Sequence, residues 1–343
     1  MSKVVFTKNK SYNSNLIIID GFSGSGKILI AELLKAINNT EITKWELSFD
    51  YLPILFSLGS IEKEAAKSLL RTIFDEITYT MAIGRELNFR IKDLLSAIGH
   101  PKKYAYLKSI FRKEPNDIIF ENNVAPKMNV PIIVHLSSFN NCLIEETFGS
   151  KSRIFYSLRD PLYILESYSS YLDRIANDPR EFTPKILYRD TDLPWYAYNF
   201  EEEYCKANNT EKSILIIEKC FELLEKKLNS SKYRQQYKLI FFEDVVTNTD
   251  SIFSEIVKFL NLNYENKILQ KIKLKNKIPR LNINIVEGFW KRYTTNNASR
   301  DGDNESKILN RTKSLINESY YEKLLVLRKK YYNFKKLYDK NLS

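Results

Sequence analysis

Four short apolar runs punctuate the chain: Leu16 to Ile19 closing on Asp20, Val130 to Val134 closing on His135, Ile154 to Leu158, and Tyr237 to Phe242 closing on Glu243-Asp244. Continuous runs of this length, rich in β-branched residues, predict strands buried on both faces. The pattern from Ile28 to Ile37 predicts a helix directly after the first strand, and Ser251 to Leu262 predicts one after the last. Two longer regions, about 61–110 and 184–233, are expected to be mostly helical insertions. Strands alternating with helices predict an α/β fold: a central parallel sheet, helices on both faces, and ligands at the strands' carboxyl ends. The chain shows no internal repeat and no low-complexity linker, so 1–310 is expected to be one α/β domain, with 311–343 a basic helical extension. The polar run Asn296 to Asn304 is the expected mobile loop.

Composition narrows the function classes. At 343 residues and 43% hydrophobic content the chain has ample material for a core. No apolar run approaches the ~18 residues of a membrane span. The first ten residues lack the apolar stretch and small-residue cleavage site of a signal peptide, so a cytoplasmic location is expected. Cys142, Cys205 and Cys220 are an odd count without metal-ligand spacing, which predicts neither a disulfide framework nor a metal site. A net charge of +11 favours anionic ligands. Nucleic acid is not expected, because the lysines are spread along the chain, with a concentration only in Tyr320 to Lys340. That segment sets Leu324, Leu325, Leu327 and Tyr331 among Arg328, Lys329, Lys330, Lys335 and Lys336, the pattern of an amphipathic basic helix. A solvated packing helix is expected; peripheral contact with an acidic membrane surface is the alternative. Oligomeric state has no signature in the sequence.

Three motifs carry chemistry. Gly21-Phe22-Ser23-Gly24-Ser25-Gly26-Lys27 lies between the first strand and its helix, the context of a P-loop. Its glycines let backbone N–H groups curl around an anion, the helix offers its positive end, and Lys27 adds a mobile charge. Ile28 stands where nucleoside triphosphatases place the magnesium-ligating Ser or Thr, so the phosphate cradle is retained while a metal contact is lost. Arg159 at the end of the third run and Ser167 eight positions on, across a helix expected to open at Pro161, form a second anion site of a guanidinium and a hydroxyl. His135, one of two histidines with His100, ends the second run, where an imidazole could serve as a base.

In order and spacing these blocks resemble sulfotransferases that use 3′-phosphoadenosine 5′-phosphosulfate (PAPS). The resemblance covers about Asn15 to Arg292 and implies a P-loop fold in which the loop from Phe22 to Ile28 holds the 5′-phosphosulfate. Arg159 and Ser167 would hold the 3′-phosphate, and His135, 24 residues before Arg159, would be the catalytic base. Many members carry Lys or Arg where this chain has Phe22, and Lys27 is expected to substitute as the cation on the bridging oxygen. Glu287-Gly-Phe-Trp-Lys291-Arg292 is similar to a C-terminal segment that closes over the nucleotide, which makes Lys291 and Arg292 further 3′-phosphate candidates, although the preceding Arg-Lys-Gly of the family is missing. The family role of Glu243-Asp244 is structural. The implied reaction is in-line sulfuryl transfer, without a metal, to a hydroxyl of a small molecule or glycan. Two alternatives remain: an ATP-dependent kinase or hydrolase with Lys27 on ATP and Asp244 on magnesium, and a nucleotide-binding relative without turnover.

Overall fold

The computed structural model describes residues 6–340 apart from 9, 92, 125, 126, 176, 177, 180, 231 and 281–304. In chain order, β1 (Asn15–Gly21) leads into α1 (Lys27–Leu34), followed by β2 (Lys44–Trp45), α2 (Ser48–Ser57), α3 (Lys63–Ala82), α4 (Lys103–Ser109) and α5 (Asn116–Val124). Then come β3 (Asn129–Ile133), α6 (Leu143–Phe148), β4 (Ser152–Leu158), α7 (Pro161–Ile175) and a hairpin of β5 (Lys185–Tyr188) and β6 (Thr191–Pro194). Helices α8 (Glu201–Lys206) and α9 (Asn209–Ser230) precede β7 (Tyr237–Phe241), and α10 (Phe242–Thr247), α11 (Thr249–Leu260) and α12 (Asn266–Asn276) follow it. The last two are α13 (Glu305–Lys313) and α14 (Glu318–Lys340).

The four apolar runs form the heart of a parallel sheet of order β2-β3-β1-β4-β7. Alternation within a strand sends side chains to opposite faces. Leu16, Ile18, Ile154 and Tyr156 enter a core with residues of α2, α3, α7, α9 and α14, whereas Ile17, Ile19, Phe155 and Ile240 join α1, α11 and α12 on the other face. Both faces are covered, which is why the runs are apolar throughout instead of alternating with polar residues. Gly21, Ile133, Leu158 and Phe241 close their strands at one end of the sheet, and the loops that leave this end build the site.

The structure departs from the sequence reading in three places. The insertion at 61–110 is helical only to Ala82; Gly84 then takes φ +75° and the chain runs irregularly to α4, apart from a 3₁₀ turn at Ala97–Gly99. The region from Pro184 opens on the β5–β6 hairpin before its helices, turning at Arg189 and Asp190, both at positive φ (43° and 63°). A two-residue turn of this geometry is normally signalled by Asn-Gly or Asp-Gly, and the absent glycine hid it. Glu243 and Asp244 lie in the first turn of α10 and not in β7, where their charge suits the helix's positive end. The segments Glu287 to Arg292 and Asn296 to Asn304 lie outside the described residues.

Candidate active site

Between β1 and α1 the glycine-rich loop turns tightly against two other elements. Gly24 and Gly26 have φ of +86° and +97°, and a Cβ on Gly24 would stand 2.9 Å from Ser167 Oγ, one on Gly26 2.5 Å from the Phe242 ring. Glycine is therefore required both for backbone conformation and for close approach to α7 and α10. Ser25 spends both its N–H and its hydroxyl on the Phe22 carbonyl (3.2 and 2.8 Å), and Ser157 Oγ donates to Ser25 O (2.7 Å). Phe22 is buried, edge-on to Tyr168, and Ile28 packs against the core on the α1 face. Any part these two play toward a ligand would be through their backbone.

His135 lies two residues beyond β3, on a turn that closes through Leu136 at φ +66°. Two aspartates shape it. Buried Asp20 at the end of β1 accepts the N–H groups of Gly21 (2.6 Å), Leu136 (2.5 Å) and Ser138 (2.9 Å) and the Ser138 hydroxyl (2.6 Å). Asp50 of α2 accepts the His135 N–H at 2.6 Å and faces its Nδ1 at 3.3 Å. A carboxylate facing Nδ1 favours the tautomer with the proton there, which leaves the Nε2 lone pair free to accept a proton. The imidazole is 36% exposed, open to a substrate, and stands edge-on to Trp45. His100, in contrast, is buried, accepts the Lys102 N–H at Nδ1, and burial drives its pKa down to about 3.

Lys27 ties the two loops together. Its Nζ donates to Gly21 O (2.7 Å) and to Val134 O (2.8 Å), the carbonyl preceding His135. Burial lowers its pKa to about 8, against the opposing pull of Asp20 and Asp50, so the ammonium persists at neutral pH.

Arg159 follows β4 and reaches back to the glycine-rich loop, where Nη1 donates to Gly24 O at 3.1 Å, while its guanidinium lies 4.4 Å over the Phe242 ring. Burial lowers the Arg159 pKa; Glu243 acts against this, and Arg280 adds to it. Ser167 Oγ, beside Gly24, donates to Ile164 O (2.8 Å). The neighbouring Asp160 and Glu243 are taken up by α14 through Arg328, Tyr332 and Tyr331. Lys291 and Arg292 lie outside the described residues.

A cavity of about 290 Å³ runs alongside Trp45, with Ile42, Met81 and Leu87 on its apolar side and Lys44, Glu86 and Asn88 among its polar lining. Trp45 thus touches both the cavity and His135. Met81 to Asn88 belong to the 61–110 insertion. Among the described residues no group of three His, Cys, Asp or Glu side chains is arranged to hold a metal ion.

The structure therefore brings together the loop from Phe22 to Ile28, His135, Arg159 and Ser167. Sequence reasoning missed Asp20, Asp50, Trp45, Arg280 and Arg328. The one available signal was Asp20, an acid ending an otherwise apolar run; the others sit in segments without a motif.

The family model described as Sulfotransferase domain matches residues 15–278. Among solved structures, the sulfotransferase domain from the curacin biosynthetic pathway is 14% identical with a TM-score of 0.43, covering 92% of this chain and 97% of that one. A mouse sulfotransferase complexed with PAP is 16% identical with a TM-score of 0.34, covering 91% of this chain and 89% of that one. A curated protein of Euglena longa named maturase-like protein 1 is 24% identical over 280 residues, 75% of this chain. The chain spans about half the length (53%) of that relative.

Proposed function

The chain belongs to the sulfotransferase domain family, and from that premise we propose that it moves a sulfuryl group from PAPS to an acceptor hydroxyl. The observation that carries this reading is the convergence of Arg159, Ser167 and the glycine-rich loop: Arg159 Nη1 lies 3.1 Å from Gly24 O although the residues are 135 positions apart. The residues fit such a donor. A guanidinium and a hydroxyl stand on one side, and the loop's backbone turns so tightly that a Cβ at Gly24 would meet Ser167. PAPS supplies an activated sulfate on a phosphate leaving group.

In this reading Arg159 holds the 3′-phosphate and Ser167 joins it by turning its hydroxyl from Ile164 O to a phosphate oxygen, with Arg280 adding charge, and the N–H groups of Ser23, Gly24 and Gly26 hold the 5′-phosphate. Ser25 works inside the loop instead, its N–H and hydroxyl already spent on Phe22 O. His135 Nε2 takes the acceptor's proton as its oxygen attacks sulfur, and Asp50 stabilises the resulting imidazolium. The S–O bond to the 5′-phosphate breaks and adenosine 3′,5′-bisphosphate leaves. An ammonium has three N–H donors, and Lys27 commits two to Gly21 O and Val134 O, so the third is the one that stabilises charge on the bridging oxygen. The cavity beside Trp45 receives a small hydroxylated acceptor, a small molecule or a terminal sugar. Among the described residues no helix is long and apolar enough to cross a membrane. A kinase reading is disfavoured because Ile28 has no metal-ligating atom and Asp244 is engaged by Lys335 at 2.5 Å.

Calorimetry without metal tests the donor. Adenosine 3′,5′-bisphosphate is expected to bind more tightly than AMP by several kcal/mol, since charge-assisted contacts contribute roughly 1.5–3 kcal/mol each. Equal affinities, or tighter Mg-ATP binding, would overturn the reading. His135→Ala is expected to lower turnover ~10²-fold or more at unchanged donor affinity, and His100→Ala to leave turnover intact. Donor binding with no turnover on any acceptor would mark a binding protein.

A further inference from the structure

The corner that carries Arg159 is braced from the far end of the chain. Asp160, buried beside it, has both carboxylate oxygens occupied: Oδ1 accepts Leu162 N–H (3.0 Å) and Arg328 Nε (2.9 Å), while Oδ2 accepts Arg328 Nη2 (2.8 Å) and Tyr332 OH (2.8 Å). Glu243 accepts the Asp160 N–H at 3.1 Å and the Tyr331 hydroxyl. Arg328 is itself steadied by Glu305 at 2.8 Å. Glu243 and Asp160 are both acids whose charge acts on Arg159. A carboxylate left unsatisfied here would draw the Arg159 guanidinium toward itself, in competition with an anionic ligand.

We propose that α14 sets the anion affinity of Arg159: Arg328, with Tyr332, is a positioning residue that occupies Asp160 and so keeps this carboxylate from competing with the 3′-phosphate. The proposal rests on the reading of Arg159 as the 3′-phosphate contact. It assigns the basic C-terminal helix a part in donor selection beyond packing. Helix α14 meets α7 and α9 through Leu324, Leu327 and Tyr331, so the face that fills the core also delivers the bracing side chains. A planar guanidinium held through two nitrogens suits this role, and lysine would not reproduce the fork.

The test measures one ratio, the affinity for adenosine 3′,5′-bisphosphate over that for AMP, in full-length protein. The unmodified chain must show a high ratio; a ratio near one would sink the reading of Arg159 itself, separately from this proposal. Arg328→Met is expected to lower the ratio about tenfold or more, and Asp160→Asn placed in that background to restore it to within about threefold, because the competing charge is gone. A merely structural brace predicts the opposite, since losing the second partner would not recover selectivity. An Arg328→Met protein that keeps the full ratio, or a double variant that folds and does not recover it, would overturn the proposal. Should Arg328→Met fail to fold, Tyr332→Phe takes its place: a loss of about threefold reversed by Asp160→Asn supports the proposal, and an unchanged ratio overturns it.

Discussion

Around His135 the turn is held by Asp20 and Asp50, whose oxygens take backbone N–H groups inside the sheet's rim; around Arg159 the corner is held by charged and phenolic side chains from a helix that begins 159 positions later, at Glu318. The first kind of tie joins a buried carboxylate to backbone atoms that cannot move away without opening the strand ends. The second joins long side chains across an interface and ranges from buried, at Arg328 and Asp160, to partly exposed, at Lys335 and Asp244. The contrast teaches that the His135 turn and the glycine-rich loop form a preorganised unit, whereas the Arg159 corner is adjustable through its partners. Buried unpaired donors are expensive and insensitive to salt; partly exposed ion pairs contribute little and are screened.

The strongest way to break this contrast is Asp20→Ala. It leaves the N–H groups of Gly21, Leu136 and Ser138 without their acceptor, and unsatisfied buried donors cost about 1–3 kcal/mol each. A total loss of about 3–5 kcal/mol in urea unfolding is expected. A loss below about 1 kcal/mol would show that the turn does not depend on this carboxylate.

Next comes Lys27→Met, expected to cut turnover ~10²–10³-fold while weakening donor binding much less, as for loss of one donor to a developing anion. Equal losses in binding and turnover would make Lys27 a structural tie between the two loops and nothing more. The pH profile sharpens the point. Burial holds the Lys27 pKa at about 8, so the group is charged below that pH and loses its proton above it. The value of kcat/KM for the donor should therefore fall as pH rises through about 8, and that limb should vanish in the variant.

Asp50→Asn is a smaller perturbation, removing a charge-assisted bond to His135 that contributes about 1.5–3 kcal/mol. Turnover should drop about tenfold to a hundredfold with donor affinity unchanged. An unaltered kcat would mean that Asp50 only supports the backbone of the turn. At the low end, Lys335→Ala removes the pair to Asp244 and should shift stability by about 0.2–1 kcal/mol, an effect that shrinks further in added salt. A loss above about 2 kcal/mol would place this pair with the buried ties and erase the distinction.

Much of the frame was legible because it is local. The apolar runs predicted the central strands, and the glycines predicted the tight loop, because each depends on residues within a few positions of each other. Where a local signal was missing, the reading slipped: Arg189-Asp190 turns a hairpin without glycine, and Glu243-Asp244 begins a helix at what reads as the end of a strand. The site was half legible for the same reason. His135, Arg159, Ser167 and the loop announce themselves by type and position, whereas Asp50 sits in an unremarkable helix, Arg280 follows a proline in a lysine-rich stretch, and Arg328 is one of many basic residues in its helix.

By itself the sequence determined the sheet's central strands, the tight glycine-rich loop and the order of these parts, since periodicity and glycine geometry act over short separations. Only the tertiary structure decided which carboxylate faces His135, which carbonyls hold Lys27, and that the last helix closes on Asp160. Those pairings join residues 85, 107 and 168 positions apart. Each member is an ordinary acid, lysine or arginine along the chain, and becomes specific only when the parallel sheet brings its strand ends together and burial makes an unpaired charge too costly to leave.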